Sequence, residues 1–336
     1  MFKVAILGAT GYTALELLKL LRRHPLVEVV AVTSRENTSP IAKVHPSLTG
    51  QYDICCENLA PKDLAQRGVD TVFSCLPHTA TAAVAPELLE LGMKVVDFGA
   101  DYRLNNAEVF NKWYNVVHPD PERLPLTPYG LPELFRDKIR DAKLVANPGC
   151  YPTSAILPLA PLLKGGFIDP ADIIIDSKSG VSGAGRKPSL KNLYPECNEA
   201  ISAYAVGAHR HTPEIEEVLT TASGFDAKVI FTPHLTPMDR GILTTTYTRP
   251  LKDASQEELL AYLRDFYKGE PFVQVVEELP STKDVIHTNR CHLTVRRVGA
   301  RILTISVIDN LIKGAAGAAV QNFNLIHGLD ETIALI

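Results

Sequence analysis

A chain of 336 residues exceeds one ordinary hydrophobic core, so two domains are expected. Apolar residues make up 46% and charged residues 21%, and the net charge is −4, which speaks against a nucleic-acid or membrane-surface partner. No segment approaches the ~20 apolar residues of a membrane span, and the run in MFKVAILGATGY is too short for a signal peptide. The six cysteines (Cys55, Cys56, Cys75, Cys150, Cys197 and Cys291) form no C-x-x-C pair. Reduced thiols in a cytoplasmic protein are expected, not a zinc ribbon or a disulfide framework.

In chain order, KVAILG (3–8) reads as a strand ending in glycine, and TALELLKLLRRH (13–24) as a helix with leucines at helical spacing. VEVVAVTS (27–34), VDTVFSCL (69–76), MKVVDFG (93–99) and AKLVANPG (142–149) repeat the strand pattern. TAAVAPELLELG (81–92) is a further helix that stops at glycine. Short strands alternating with helices predict a doubly wound α/β parallel sheet. Beyond residue 150 the strands DIIIDSKS (172–179), KVIFTPHL (228–235), ILTTTYTR (242–249), CHLTVRRV (291–298) and RILTISVID (301–309) follow more closely, with a hairpin at Gly299. They predict an α+β domain with a mixed, largely antiparallel sheet. KGAAGAAVQNFNLI (313–326) is expected to form one last helix.

GATGYTA (8–14) lies between the first strand and helix. Gly8 suits the tight turn, Gly11 lets a diphosphate approach the N–H groups at the helix mouth, and Ala14 allows close packing. Gly8, Thr10, Gly11, Tyr12 and Thr13 are therefore candidate dinucleotide ligands in a Rossmann-like domain. The second strand ends Thr33-Ser34-Arg35, where an NAD site would place an acid on the ribose. Ser34 and Arg35 suit a 2′-phosphate, so NADP(H) is expected. CLPHTA (75–80) supplies a second candidate loop with Leu76, Pro77 and His78.

In ANPGCYPT (146–153), Cys150 follows a strand and a glycine, and Pro152 is expected at the first helical position. A helix N-terminus favours the thiolate and offers N–H groups to an oxyanion. Pro158 and Pro161 predict a kink or an end to that helix. A nucleophilic cysteine needs a base, and AHRHTPEIEE (208–217) holds His209 and His211 on one face of an extended segment. Thr212, Pro213 and Glu214 then read as cap, first helical position and acidic first turn. No third ligand accompanies the His-x-His pair, so no metal is expected. SKSGVSGAGRKP (177–188) reads as an anion-binding glycine loop with Lys178 and Arg186, and GADYRL (99–104) adds Arg103.

The ordered set GATGYT, GADYRL, PGCYPT, SGVSGAGRK, HRHTPEI, IFTPHL, RGIL and DNLIKGAA resembles the N-acetyl-γ-glutamyl-phosphate reductases, NADPH-dependent enzymes of arginine biosynthesis. The resemblance implies Cys150 as nucleophile, His209 as acid/base, and Ser182, Gly183 and Asn310 on the cofactor side. It places Arg103, Lys178, Arg186, His211 and Glu214 toward a small acyl-phosphate substrate, and implies a homodimer or homotetramer. It also implies an NADP-binding domain of 1–148 with 310–336, to which the last helix returns, and a catalytic and oligomerisation domain of 149–309. Aspartyl or aminoadipyl acyl phosphates are alternative substrates. A cofactor-sensing regulator is a different class, for which the cysteine, histidine pair and anion loop would have no use.

Overall fold

Val4, Ala5, Ile6 and Leu7 of the first strand are all buried, as a parallel sheet covered by helices on both faces requires. The computed structural model describes residues 1–336, in two units: Met1–Pro148 with Ala315–Ile336, and Gly149–Gly314. The first unit contains, in order, β1 (Phe2–Leu7), α1 (Tyr12–Arg22), β2 (Val27–Thr33), α2 (Ile41–Val44), β3 (Cys56–Glu57), α3 (Pro61–Gln66) and β4 (Thr71–Ser74). It continues with α4 (Ala85–Glu90), β5 (Lys94–Asp97), α5 (Ala107–Tyr114), α6 (Pro132–Arg140) and β6 (Leu144–Ala146). The strand order is β3-β2-β1-β4-β5-β6 and every pairing is parallel, the doubly wound arrangement expected. The order reverses between β1 and β4, so the loops that follow these two strands lie side by side at the switch point.

The second unit contains α7 (Cys150–Lys164), β7 (Ile168–Gly180), α8 (Tyr194–Cys197), β8 (Ser202–Ala203), α9 (His211–Ser223), β9 (Val229–Thr236), β10 (Ile242–Pro250), α10 (Gln256–Phe266), β11 (Val273–Val275), β12 (Cys291–Val298) and β13 (Arg301–Ile308). Its sheet runs β11-β12-β13-β10-β7-β9-β8, antiparallel except at β11–β12 and β7–β9. Helices α7 and α10 pack on one face. That face is lined by hydroxyls as well as aliphatics, and the hydroxyls satisfy one another: Thr246 bonds Thr304 at 2.7 Å, and Thr244 bonds both Ser154 (2.7 Å) and Ser177 (2.8 Å). The opposite face is open. Ile230, Ile174, Tyr247 and Leu303 pair in one row across it, with Ile230 and Tyr247 exposed.

The last helix is divided. Residues Ile312–Ala316 form a π turn, and α11 (Gly317–Ile326) follows and packs on α1, α6 and β5 of the first unit. The two-residue strands β3 and β8 lack any apolar alternation to announce them. Helix α4 is shorter than its sequence pattern because residues 75–84 are held as an irregular loop.

Candidate active site

Helix α7 starts at Cys150 itself, with Gly149 as cap, so Pro152 is the third helical residue instead of the first. It has no N–H to lose there, since the first-turn N–H groups have no partner within a helix. The helix also runs unbroken through Pro158 and Pro161 to Lys164. Each proline strands a carbonyl four residues earlier, and each carbonyl has found a hydroxyl. Ser306 Oγ on β13 donates to Ser154 O at 2.6 Å, and Tyr267 OH donates to Leu157 O at 2.5 Å. The helix does not end at either proline, and these donors take the place of the missing N–H groups.

The chain just before the thiol is held by Glu214, which is buried and accepts the Gly149 N–H at 2.8 Å. Helix α9 begins at His211, so Thr212 lies inside it and is not its cap. His209 and His211 are brought together by this turn and not by an extended segment; their ring centroids are 4.8 Å apart. His211 Nε2 stands 3.9 Å from Glu214 Oε2. His209 sits among Tyr151, Tyr204 and Phe231, with centroids at 5.7, 5.5 and 5.3 Å. Burial in this ring cluster, with Arg210 beside it, holds its pKa down to about 4. Its Nδ1 accepts the His211 N–H at 3.1 Å, so the neutral ring carries its proton on Nε2. Tyr204 OH donates to Tyr151 OH at 3.1 Å, and burial pushes Tyr204 up to about 12. Cys150 directly precedes Tyr151 in α7, and His209 packs edge-on against that ring.

Gly314, in the π turn, was not singled out by sequence. A Cβ there would lie 2.7 Å from the Cys150 Cβ, so only glycine lets this turn abut the thiol's residue. A glycine inside a helical run is the signal that could have found it. Asn310 is engaged at both ends of its amide: Oδ1 accepts the Gly241 N–H at 2.8 Å and Nδ2 donates to Ser182 Oγ at 3.0 Å. It braces the 181–184 loop that carries Ser182 and Gly183.

The other expected anion ligands diverge. Strand alternation turns Lys178 to the face of β7 opposite Ser177 and Ser179, where it pairs with Asp176 at 2.8 Å. Arg186 is exposed on the loop after β7. Arg103 is buried, and its guanidinium donates to the carbonyls of Asn147 (2.8 Å) and Phe98 (2.9 Å). In this structure Lys178 and Arg103 serve as local ties.

In the first unit, Gly8 has φ +77, and a Cβ would lie 2.7 Å from Cys75 O. Gly11 caps α1, and a Cβ there would meet only Thr13 Oγ1 at 3.9 Å, which leaves space before the helix N-terminus. Thr10, Tyr12 and Thr13 are half-buried along this loop. Thr33 ties the end of β2 to it, its carbonyl accepting the Ala9 N–H at 2.9 Å. Ser34 is half-buried and Arg35 exposed just beyond. Leu76, Pro77 and His78 follow β4 on the neighbouring loop, and His78 Nδ1 accepts the Ala100 N–H at 3.2 Å. The open cradle before α1 fits a dinucleotide diphosphate.

Two family models match the chain: "Semialdehyde dehydrogenase, NAD binding domain" over residues 3–142 and "Semialdehyde dehydrogenase, dimerisation domain" over residues 150–310. Among solved structures, aspartate semialdehyde dehydrogenase II of Vibrio cholerae, complexed with ASA, covers 98% of each chain with a TM-score of 0.75 at 18% identity. The Candida albicans aspartate semialdehyde dehydrogenase with NADP covers 99% of each at 0.74 and 17%. These show a shared fold. The N-acetyl-gamma-glutamyl-phosphate reductase of Rhodopirellula baltica is 51% identical over 99% of this chain and 98% of its own. That of Desulforudis audaxviator is 53% identical over 100% and 98%. Identity of this order, sustained from end to end, makes the chain a member of the N-acetyl-gamma-glutamyl-phosphate reductase family.

Proposed function

We infer that this chain reduces N-acetyl-γ-glutamyl phosphate to N-acetylglutamate semialdehyde and phosphate, reversibly, as the third step of arginine biosynthesis. The observation that carries the chemistry is Cys150 at the mouth of α7, with His209 packed edge-on against the adjoining Tyr151. The Cys150 thiolate, favoured by the helix N-terminus, attacks the acyl carbon, and phosphate departs to leave a thioester. The N–H groups of the first turn of α7 stabilise the oxyanion. NADPH, when bound, supplies the hydride that brings the acyl group to the aldehyde level. Neutral His209, its proton on Nε2, donates to the oxyanion and takes the proton back as the adduct collapses. Glu214 holds Gly149 and so fixes where the thiol stands. The loop bearing Arg186 is the site for the substrate's anionic groups, with His211 beside the acyl chain.

Gly8, Thr10, Gly11, Tyr12 and Thr13 hold the cofactor diphosphate, Ser34 and Arg35 its 2′-phosphate, and Leu76, Pro77 and His78 line the adjacent loop. Asn310 supports Ser182 and Gly183 from behind. An aspartyl substrate has only the fold likeness at 18% identity in its favour. The open row of Ile230, Ile174, Tyr247 and Leu303 is the surface on which a second copy would pair. Rapid-quench kinetics test the covalent step: Cys150→Ser must form no acyl-enzyme, and reduction of the acyl phosphate at near the parent rate would rule the thioester out.

A further inference from the structure

After β5 the chain turns through Gly99, Ala100 and Asp101, and this turn reaches back to the loop that follows β4. Asp101 is fully buried, and its two oxygens divide the work. Oδ1 accepts the Thr79 N–H at 2.5 Å and Oδ2 the Ala82 N–H at 2.9 Å. The Ala100 N–H reaches His78 Nδ1, and Asp97 Oδ1 accepts both the Thr81 hydroxyl at 2.6 Å and the Gly99 N–H at 2.8 Å. Between these ties Thr79 lies at φ +76, in the left-handed region that a β-branched residue avoids. Such a conformation persists only where the surroundings over-determine it. The turn itself leaves no room for a side chain at residue 99, where a Cβ would lie 2.9 Å from Asp97 Oδ1 and 3.3 Å from Asp101 Oδ1.

The clamped loop begins at Cys75, whose carbonyl would stand 2.7 Å from a Cβ at Gly8 of the dinucleotide cradle. We propose that Asp101 is a positioning residue for NADPH: its carboxylate fixes residues 76–82, with Thr79 left-handed, in the shape that receives the cofactor before it arrives. This rests on the reading of residues 75–80 as a cofactor loop. Removing the clamp lets Thr79 relax, and if the competent fraction falls to about a tenth, the apparent Kd rises about tenfold.

The test is NADPH titration of the full chain by nicotinamide fluorescence, for the parent, Asp101→Asn, Asp101→Ala, and Thr79→Gly combined with each. Asp101→Ala is expected to weaken NADPH about tenfold while the KM for acyl phosphate stays unchanged. Asp101→Asn, able to accept only one of the two N–H groups, falls between. Adding Thr79→Gly recovers part of the loss, because glycine adopts φ +76 without the clamp. Parent-like NADPH affinity in Asp101→Asn or Asp101→Ala overturns the proposal, whatever happens to Tm. So does a loss that Thr79→Gly leaves untouched. Should Asp101→Ala fail to fold, the isosteric Asn pair decides by the same criteria. A parent chain that did not bind NADPH would sink the cofactor reading instead.

Discussion

Gly314→Ala places one methyl group where the structure has no room for it. The new carbon would lie 2.7 Å from the Cys150 Cβ, 3.1 Å from its Cα and 3.3 Å from Ile308 Cδ1. Carbon atoms rest at about 3.5–4.0 Å, so roughly 1 Å must be found. The two Cys150 atoms belong to a held stretch of backbone, and only Ile308 Cδ1 is the end of a side chain that can move aside. Cys150 is the first residue of a helix whose preceding N–H is held by Glu214. The π turn is held from its other end, where Asp309 Oδ1 accepts the N–H groups of Leu311 (2.8 Å) and Ile312 (3.0 Å). Overpacking of this kind costs about 1–3 kcal/mol. A reacting group displaced by about 1 Å can lose ~10²-fold in rate. The expected result is a lower Tm by scanning fluorimetry, a fall in kcat toward ~10²-fold, and NADPH affinity equal to the parent's. The rate of Cys150 alkylation by iodoacetamide should change in parallel. A Gly314→Ala protein with parent Tm, kcat and alkylation rate would refute the close approach of the turn to Cys150.

Arg35→Ala should narrow the preference for NADPH over NADH, read as the ratio of kcat/KM values; an unchanged ratio removes Arg35 from the 2′-phosphate site. Tyr267→Phe leaves the Leu157 carbonyl, vacated by Pro161, without its donor, so a loss of about 1–3 kcal/mol is expected in urea unfolding. Parent-like stability there would mean that the proline-bearing helix does not depend on this hydroxyl. His209 and His327 are both held down to about 4 from 6.5, chiefly by burial. Between those values the unfolded chain binds more protons than the folded one. Stability is therefore flat on their account above pH 6.5 and falls as pH drops toward 4. His327→Gln should flatten that fall in a pH series of Tm values, and an equally steep fall in the variant would show that His327 is not its cause.

Much of the fold was legible because the first unit obeys local grammar. Its parallel strands are buried on both faces and read as short apolar runs, and the glycine turn after β1 announces its own geometry through Gly8. Cys150 was legible for the same reason: a strand, a glycine and a cysteine in succession specify a helix mouth. The boundaries of α7 and α9 were not, because Pro152 and Pro213 are tolerated at the third helical position as well as at the first.

Sequence by itself determined which residue types were available: a doubly wound half, a sheet-rich half, a cysteine at a helix start and a histidine pair. Tertiary structure alone decided which of them meet. Lys178 was turned away from α7 because strand alternation decides a face only once the helix-covered side is known. Arg103 was claimed by the distant carbonyl of Asn147 as well as by that of Phe98 nearby. The prolines of α7 were rescued by hydroxyls of Ser306 and Tyr267, more than a hundred residues away. The Arg103–Asn147 bond and the two rescues of α7 are partnerships across long chain separation, and local propensity carries no information about a hydrogen-bond partner that only the folded packing brings within 3 Å.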